Sequence, residues 1–141
     1  MPYYAHIRQD ENGETIYQTV AEHLTGTAAL CREFAADFGA EADGDLMGLA
    51  HDLGKCTDAF QKRLLEGGPV VDHTTAGMLT CIRMKRPSAA ACVAGHHGGL
   101  LDVGNLRTDR AGEATLSGRF KKGVEGHYLC LLYTSPSPRD A

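Results

Sequence analysis

The segment Leu49-Ala50-His51-Asp52-Leu53-Gly54-Lys55 closes an apolar, helix-forming stretch with a histidine followed directly by an aspartate. Outward from this doublet, the chain carries histidines in three other short segments. These histidines are His23, His73, His96 and His97. Imidazoles from several separated segments, placed beside one carboxylate, are the ligands that borderline divalent cations prefer. The pattern predicts a metal site and favours a metal-dependent hydrolase.

Length and composition are those of an ordinary globular protein with one domain. The chain has 141 residues, of which 43% are hydrophobic, and no apolar run approaches the length of a membrane span. The N-terminus lacks a basic segment followed by an apolar one, so we expect a cytoplasmic protein with no membrane partner. The five cysteines include no C-x-x-C pair, which argues against a disulfide framework and against a zinc ribbon.

Local patterns predict a small β-hairpin at the front of the chain. Strands are expected at residues 3–7 and 15–17, on either side of the turn-forming Asn12-Gly13. Thr19 and Glu22 then have the spacing of a capping box, and the apolar stripe that follows predicts a long first helix with His23 in its first turn.

The second predicted helix carries the His51-Asp52 doublet. Its start is expected at Asp43 or Asp45 and its end at Gly54, a residue type that favours helix C-termini. The doublet therefore lies in the last turn. A short third helix is expected at residues 57–65.

The remaining histidines are also predicted near helix ends. Asp72 is expected to cap a fourth helix with His73 in its first turn, and a fifth helix from Ser88 ends at His96-His97. From about residue 100 the pattern weakens into glycines and charges, which predicts loops with little regular structure. Because the ends of different helices can meet at one point in a bundle, this all-α arrangement lets the histidines converge.

Basic residues are concentrated in the segment 105–122, although the net charge of the chain is −4. The segment contains Arg107, Arg110, Arg119, Lys121 and Lys122 against Asp109 and Glu113. Such runs are more often solvated faces than binding sites. The alternative is that Arg107 and Arg110 bind a nucleic-acid backbone in a basic groove, where the local charge matters more than the net charge.

Five motifs resemble, in order, those of the HD nuclease domain of type I CRISPR interference. They are Tyr3-Tyr4-Ala5-His6, Glu22-His23-Leu24, His51-Asp52-Leu53-Gly54-Lys55 with Phe60-Gln61, Asp72-His73-Thr74-Thr75-Ala76-Gly77 and Gly95-His96-His97-Gly98-Gly99-Leu100. The resemblance runs from Tyr3 to about Asp102, and the last two motifs are more discriminating than the doublet alone. It implies an HD-domain helical bundle with two divalent metal ions.

The resemblance also implies an activity and its partners. Domains of this family are fused to, or work beside, a superfamily 2 helicase. We therefore expect a metal-dependent endonuclease that cleaves single-stranded DNA displaced by a CRISPR RNA-guided surveillance complex, in antiviral defence.

The family's motifs assign the metal ligands residue by residue. One cation takes His23, His51 and Asp52, and the other takes Asp52, His73, His96 and His97. Asp52 bridges the two ions, and the implied catalytic residues are His51, Asp52 and Lys55. Lys55 either lies beside the scissile phosphate, as a substrate-binding residue, or anchors the loop after the helix. His6 and His127 have no place in the family's metal set and are interpreted as ordinary polar residues.

The nitrogen-rich ligand set favours manganese, cobalt, nickel, iron or zinc over magnesium, which prefers oxygen ligands. In the family, the first site is completed by an aspartate on a helix farther downstream. Asp102 and Asp109 follow the His-His motif too closely, and Asp140 lies in residues 129–141, which resemble a translated sequencing adaptor. We expect an HD domain at residues 1–128, truncated at its C-terminal side, whose second metal site is better formed than the first.

Two other functions stay open from the sequence. An HD phosphohydrolase that acts on nucleotides or small phosphate esters would use the same metal chemistry. A folded metal-binding fragment with an incomplete site would bind metal without cleaving a substrate.

Overall fold

The computed structural model describes residues 2–124, where a two-stranded hairpin precedes six α-helices. The strands are β1 (Tyr4–Gln9) and β2 (Thr15–Thr19), and the helices are α1 (Val20–Ala36), α2 (Glu41–Ala50), α3 (Asp58–Glu66), α4 (Thr75–Arg83), α5 (Pro87–Gly95) and α6 (Leu116–Lys122), with a 3₁₀ turn at Leu53–Cys56. The predicted all-α bundle with a small N-terminal hairpin is confirmed. His127 lies outside the described residues, and so do residues 129–141, which are predicted to be a non-native tail.

The hairpin is antiparallel and closes through a tight turn. The Asp10 carboxylate accepts hydrogen bonds from the backbone amides of Asn12 and Glu14, both at 2.9 Å. Gly13 has a φ of 80°, a left-handed conformation that glycine adopts without a steric penalty. Between Tyr4 and His6 the pairing register shifts, which is the mark of a β-bulge near the start of β1.

Helix α1 begins at the predicted capping box. Oγ1 of Thr19 accepts a hydrogen bond from the Glu22 amide at 3.1 Å and donates to the Glu22 carboxylate at 3.0 Å. The apolar stripe that predicted this helix includes Leu30, Phe34 and Phe38, but these side chains are 55%, 66% and 75% exposed, so the stripe is wider than the buried face. Helix α2 packs against a narrower face of α1 that is made of smaller residues.

The boundaries of α2 differ from the predicted ones. The helix begins at Glu41, ahead of both predicted caps, and Asp45 is buried within it. It ends at Ala50, so His51 follows its last residue and Asp52 precedes the 3₁₀ turn. Gly54 is not a helix C-cap. A Cβ at this position would overlap the backbone of His73, so the glycine permits a close approach between two chain segments.

Helix α4 begins later than predicted. Asp72 does accept hydrogen bonds from the backbone amides of Thr74 and Thr75, at 3.0 and 3.1 Å. These bonds form a turn ahead of the helix, which starts at Thr75. His73 therefore lies in the turn before α4 and not in the first turn of the helix.

The prediction of little regular structure after residue 100 was wrong for α6. Thr115 caps this helix by accepting a hydrogen bond from the Gly118 amide at 2.9 Å, and it donates to the Asp109 carboxylate at 2.6 Å. Arg119 in α6 donates to Oγ1 of Thr74 at 2.9 Å and to the Ala94 carbonyl at 2.8 Å. These two bonds hold α6 against the start of α4 and the end of α5.

The core lies between α1, α2, α4 and α5, and close backbone contacts set their spacing. A Cβ at Gly77 in α4 would overlap the carbonyl oxygen of Ala50, the last residue of α2. The glycine thus brings α4 directly against the end of α2, next to the His51-Asp52 doublet. Across residues 2–124, no helix combines the length and the apolar character needed to cross a membrane.

We expect Gly77→Ala to destabilise the protein by about 1–3 kcal/mol, because the added methyl group must push two packed helices apart. Gly26→Ala is the matched control, since a Cβ at Gly26 in α1 meets nothing within 4 Å. That substitution should stabilise the protein by about 0.5–1 kcal/mol through helix propensity. Urea unfolding of the metal-free proteins measures both effects. Equal stabilities for the two variants would contradict the close contact between α2 and α4.

Candidate metal centre

Asp52 is the centre of a cluster that contains all of the predicted metal ligands. Asp52 is 3% exposed, and its two carboxylate oxygens face different histidines. Oδ2 lies 2.9 Å from Nε2 of His23 and 3.3 Å from Nε2 of His51. Oδ1 lies 3.2 Å from Nε2 of His96 and 3.5 Å from Nε2 of His73.

The last predicted ligand, His97, joins the second group through His73. The Nε2 atoms of these two rings are 2.9 Å apart. Ligand atoms of Asp52, His73, His96 and His97 all lie within 4.8 Å of one another. The structure thus brings together the ligand set that the resemblance implies for the second cation, with residues from three different segments of the chain.

Backbone carbonyls orient the rings at the ends of α2 and α5. Nδ1 of His51 donates to the Gly48 carbonyl and Nδ1 of His96 donates to the Val93 carbonyl, both at 2.7 Å. Because a carbonyl only accepts, Nδ1 carries a proton in both rings, and Nε2 is the ring atom that faces Asp52. Metal-binding histidines commonly have this arrangement, which fixes both the tautomer and the ring orientation.

This donor set fits divalent cations. A neutral imidazole lone pair and a carboxylate oxygen are both acceptors, and at 3.3 Å they repel unless a proton or a cation lies between them. Two pairs of ring nitrogens are similarly close. The Nε2 atoms of His23 and His51 are 3.1 Å apart, and those of His73 and His97 are 2.9 Å apart. A cation on each side of Asp52 would satisfy all of these lone pairs.

The surroundings keep Asp52 charged. Burial alone would raise the pKa of this carboxyl, but hydrogen bonds from His51 and His96 and the positive charge of Lys55 hold it well below its usual range. Burial lowers the pKa of His23, His73 and His97. For His96, the hydrogen bond to Asp52 outweighs burial and raises the pKa. A charged carboxylate among mostly neutral imidazoles is the protonation state that metal binding requires.

Lys55 is buried beside the cluster. Lys55 is 5% exposed, and its Nζ lies 3.1 Å from Oδ2 of Asp52. Nζ also donates to the Ala5 carbonyl at 3.3 Å and lies 5.4 Å from the centre of the Phe60 ring. These contacts tie the 3₁₀ turn to β1, as expected of the anchoring interpretation of Lys55.

The two arginines predicted to bind substrate lie apart from these contacts. Arg107 and Arg110 are exposed in the loop before α6. Of the basic residues in 105–122, Arg119 and Lys122 line a cleft of about 500 Å³ together with His73 and His97. Sequence analysis included them among the basic residues of 105–122 but could not place them, because it did not predict α6.

The cluster also contains a residue that sequence analysis set aside. The ring of His6 lies against that of His23, with centroids 4.8 Å apart, and ligand atoms of His6, His23 and Asp52 lie within 4.8 Å of one another. Asp52 is the single carboxylate in either group of potential ligands found among residues 2–124. Asp109 instead accepts hydrogen bonds from Asn105 and Thr115 within the loop before α6.

The fold and the cluster around Asp52 define a helical bundle with a potential metal centre, and comparison with known families agrees with this class. A family model of the HD domain matches residues 20–120, so the chain belongs to the HD domain family. HD domains are typically metal-dependent hydrolases that bind divalent metals, and the cluster around Asp52 is able to hold such an ion. No curated protein matches the chain.

We expect the affinity for cobalt or nickel to be constant above about pH 7 and to fall below about pH 6. The lowered pKa values of His23, His73 and His97 keep these rings neutral down to below their ordinary value of 6.5. His96, whose pKa is raised, takes up a proton first as the pH falls. Isothermal titration calorimetry at several pH values measures the change. An affinity at about pH 5 equal to that at neutral pH would contradict histidine ligation.

Proposed function

We propose that this HD domain is a metal-dependent nuclease that cleaves single-stranded DNA in type I CRISPR interference. The observation that carries the proposal is the buried carboxylate of Asp52, each of whose oxygens faces its own group of imidazoles. A carboxylate in this position bridges two cations in two-metal phosphoesterases. The five ordered motifs quoted above support the assignment to this branch of the family.

The nitrogen-rich donor set supports two transition-metal ions, drawn from manganese, cobalt, nickel, iron and zinc, over magnesium. When bound, two such ions stabilise the charge on a phosphoryl group and lower the pKa of a water molecule for attack. Residues of the chain orient the side chains that would bind these ions. His51 and His96 are oriented by backbone carbonyls, and Lys55 offsets part of the negative charge of Asp52.

The cleft beside the second group of ligands is suited to a phosphodiester backbone. Arg119 and Lys122 line it together with His73 and His97, and so do the acidic residues Asp72 and Glu113. Lys122 lies 3.7 Å from Asp72, so Arg119 is the cation of this lining without an acidic partner among the described residues of the cleft. Single-stranded nucleic acids are commonly bound in grooves with positive charge along the backbone. We therefore assign the phosphodiester contacts beside His73 and His97 to Arg119 and Lys122. Arg107 and Arg110 stay predicted contacts with the bound nucleic acid.

The remaining parts of the proposal come from the resemblance. The partners would be an RNA-guided surveillance complex and a helicase, fused or adjacent, which together expose the single strand. The protein would then act in the cytoplasm. Lys55 is assigned a positioning role. Its buried ammonium group contacts Asp52 and the Ala5 carbonyl, and both contacts lie within the protein and not in the cleft.

A second candidate function is the hydrolysis of nucleotides or small phosphate esters. The cleft of about 500 Å³ has the volume of a small-molecule site, and basic side chains line it. Because both reactions use the same ligands, the metal centre does not distinguish them. The discriminating property is the length of the substrate.

The test compares circular single-stranded DNA with a panel of nucleotides, in the presence of manganese or nickel. We expect the DNA to be cleaved and the nucleotides to stay intact. Asp52→Asn should abolish cleavage and lower the metal affinity by more than about tenfold, because the bridging charge is lost. Asp43→Asn is the matched control, since Asp43 pairs with Arg86 on the surface. Hydrolysis of nucleotides with intact DNA would overturn the nuclease proposal in favour of the second candidate.

A further inference from the structure

We infer that His6 is a ligand of the first cation and completes that site together with His23, His51 and Asp52. The inference rests on the metal centre proposed above, and it adds a residue from the N-terminal hairpin to it. Among residues 2–124, the quoted motifs place His23, His51 and Asp52 at this site. The structure supplies a further ligand from a segment that the motifs do not connect with metal binding.

The start of β1 is fixed to the elements that carry the cluster. The Gln61 side chain in α3 accepts a hydrogen bond from the Tyr4 amide at 3.0 Å and donates to the Tyr4 carbonyl at 2.9 Å. The next carbonyl, that of Ala5, accepts a hydrogen bond from Lys55 at 3.3 Å. The residues immediately before His6 are therefore held against α3 and the 3₁₀ turn by three hydrogen bonds.

The bulge in β1 then sets the direction of His6. Tyr4 pairs with Thr19 and His6 pairs with Gln18, so Ala5 is the extra residue and is buried. A bulge commonly redirects a side chain next to a functional site. Here the His6 ring packs edge-on against the ring of His23, with an interplanar angle of 84°.

The distances fit a shared ion after a small adjustment. Ligand atoms of His6, His23 and Asp52 lie within 4.8 Å of one another. Two ligands of one zinc-like ion, each about 2.0–2.2 Å from it, are about 3–4 Å apart. His51 joins this group through His23, since their Nε2 atoms are 3.1 Å apart, and the required adjustment is a movement of the exposed His6 ring toward His51.

With His6 included, the two sites have matching composition. The second contains three imidazoles and Oδ1 of Asp52, and the first would contain three imidazoles and Oδ2. A site with three nitrogen ligands and one oxygen favours zinc, cobalt and nickel over manganese and magnesium.

The test measures metal binding to the full chain, with cobalt(II) as the probe. Equilibrium dialysis followed by elemental analysis gives the stoichiometry, and calorimetry gives the affinities. We expect two equivalents in the unmodified protein. His6→Ala should keep one equivalent with unchanged affinity and bind the other at least about tenfold more weakly. Arg8→Ala is the matched control, because Arg8 is an exposed residue on the same strand, and it should bind both equivalents normally.

A second variant tests the chemistry of the ligand. His6→Asp restores a ligand and supplies an oxygen, so it should bind two equivalents and take up manganese more strongly than the unmodified protein does. The inference is overturned if His6→Ala binds cobalt with unchanged stoichiometry and affinities. Cobalt binding that depends on His6 in a protein that leaves circular single-stranded DNA intact would overturn the proposed nuclease activity and keep the ligand assignment.

Discussion

The negative charge of Asp52 is the constraint on which the site depends. A carboxylate that is 3% exposed is stable only if cations or hydrogen-bond donors surround it, because burial of an uncompensated charge is costly. The Lys55 ammonium group lies 3.1 Å from this carboxylate, and imidazoles contribute hydrogen bonds to it. Two divalent cations would compensate the same charge and also satisfy the imidazole lone pairs.

The fold is arranged so that short segments from distant parts of the chain reach this carboxylate. His51 follows the end of α2 and His96 follows the end of α5, where carbonyls of the last turn accept hydrogen bonds from their rings and orient them. Two close backbone contacts keep these ends together: Gly77 lies against Ala50, and Gly54 lies against the backbone of His73. Packing and the site are therefore linked, because a side chain at either glycine would move the histidines of the cluster apart.

Much of this arrangement could be predicted from the sequence, and the failures have physical causes. Helical periodicity and capping residues predicted five of the helices, and a known family pattern predicted which histidines surround Asp52. Helix α6 was missed because its segment is short and polar, although Thr115 and Gly123 are ordinary signals for its start and end. The approach of His6 depends on a bulge in β1, which the alternation of side chains does not encode.

Anomalous diffraction from crystals of the cobalt-loaded protein tests whether Asp52 bridges two metal ions. We expect two anomalous peaks about 3.5–4 Å apart, one beside each oxygen of Asp52. The peak beside Oδ2 should lie among His6, His23 and His51, and the other among the remaining histidines of the cluster. A single peak, or two peaks that do not share Asp52, would contradict the account.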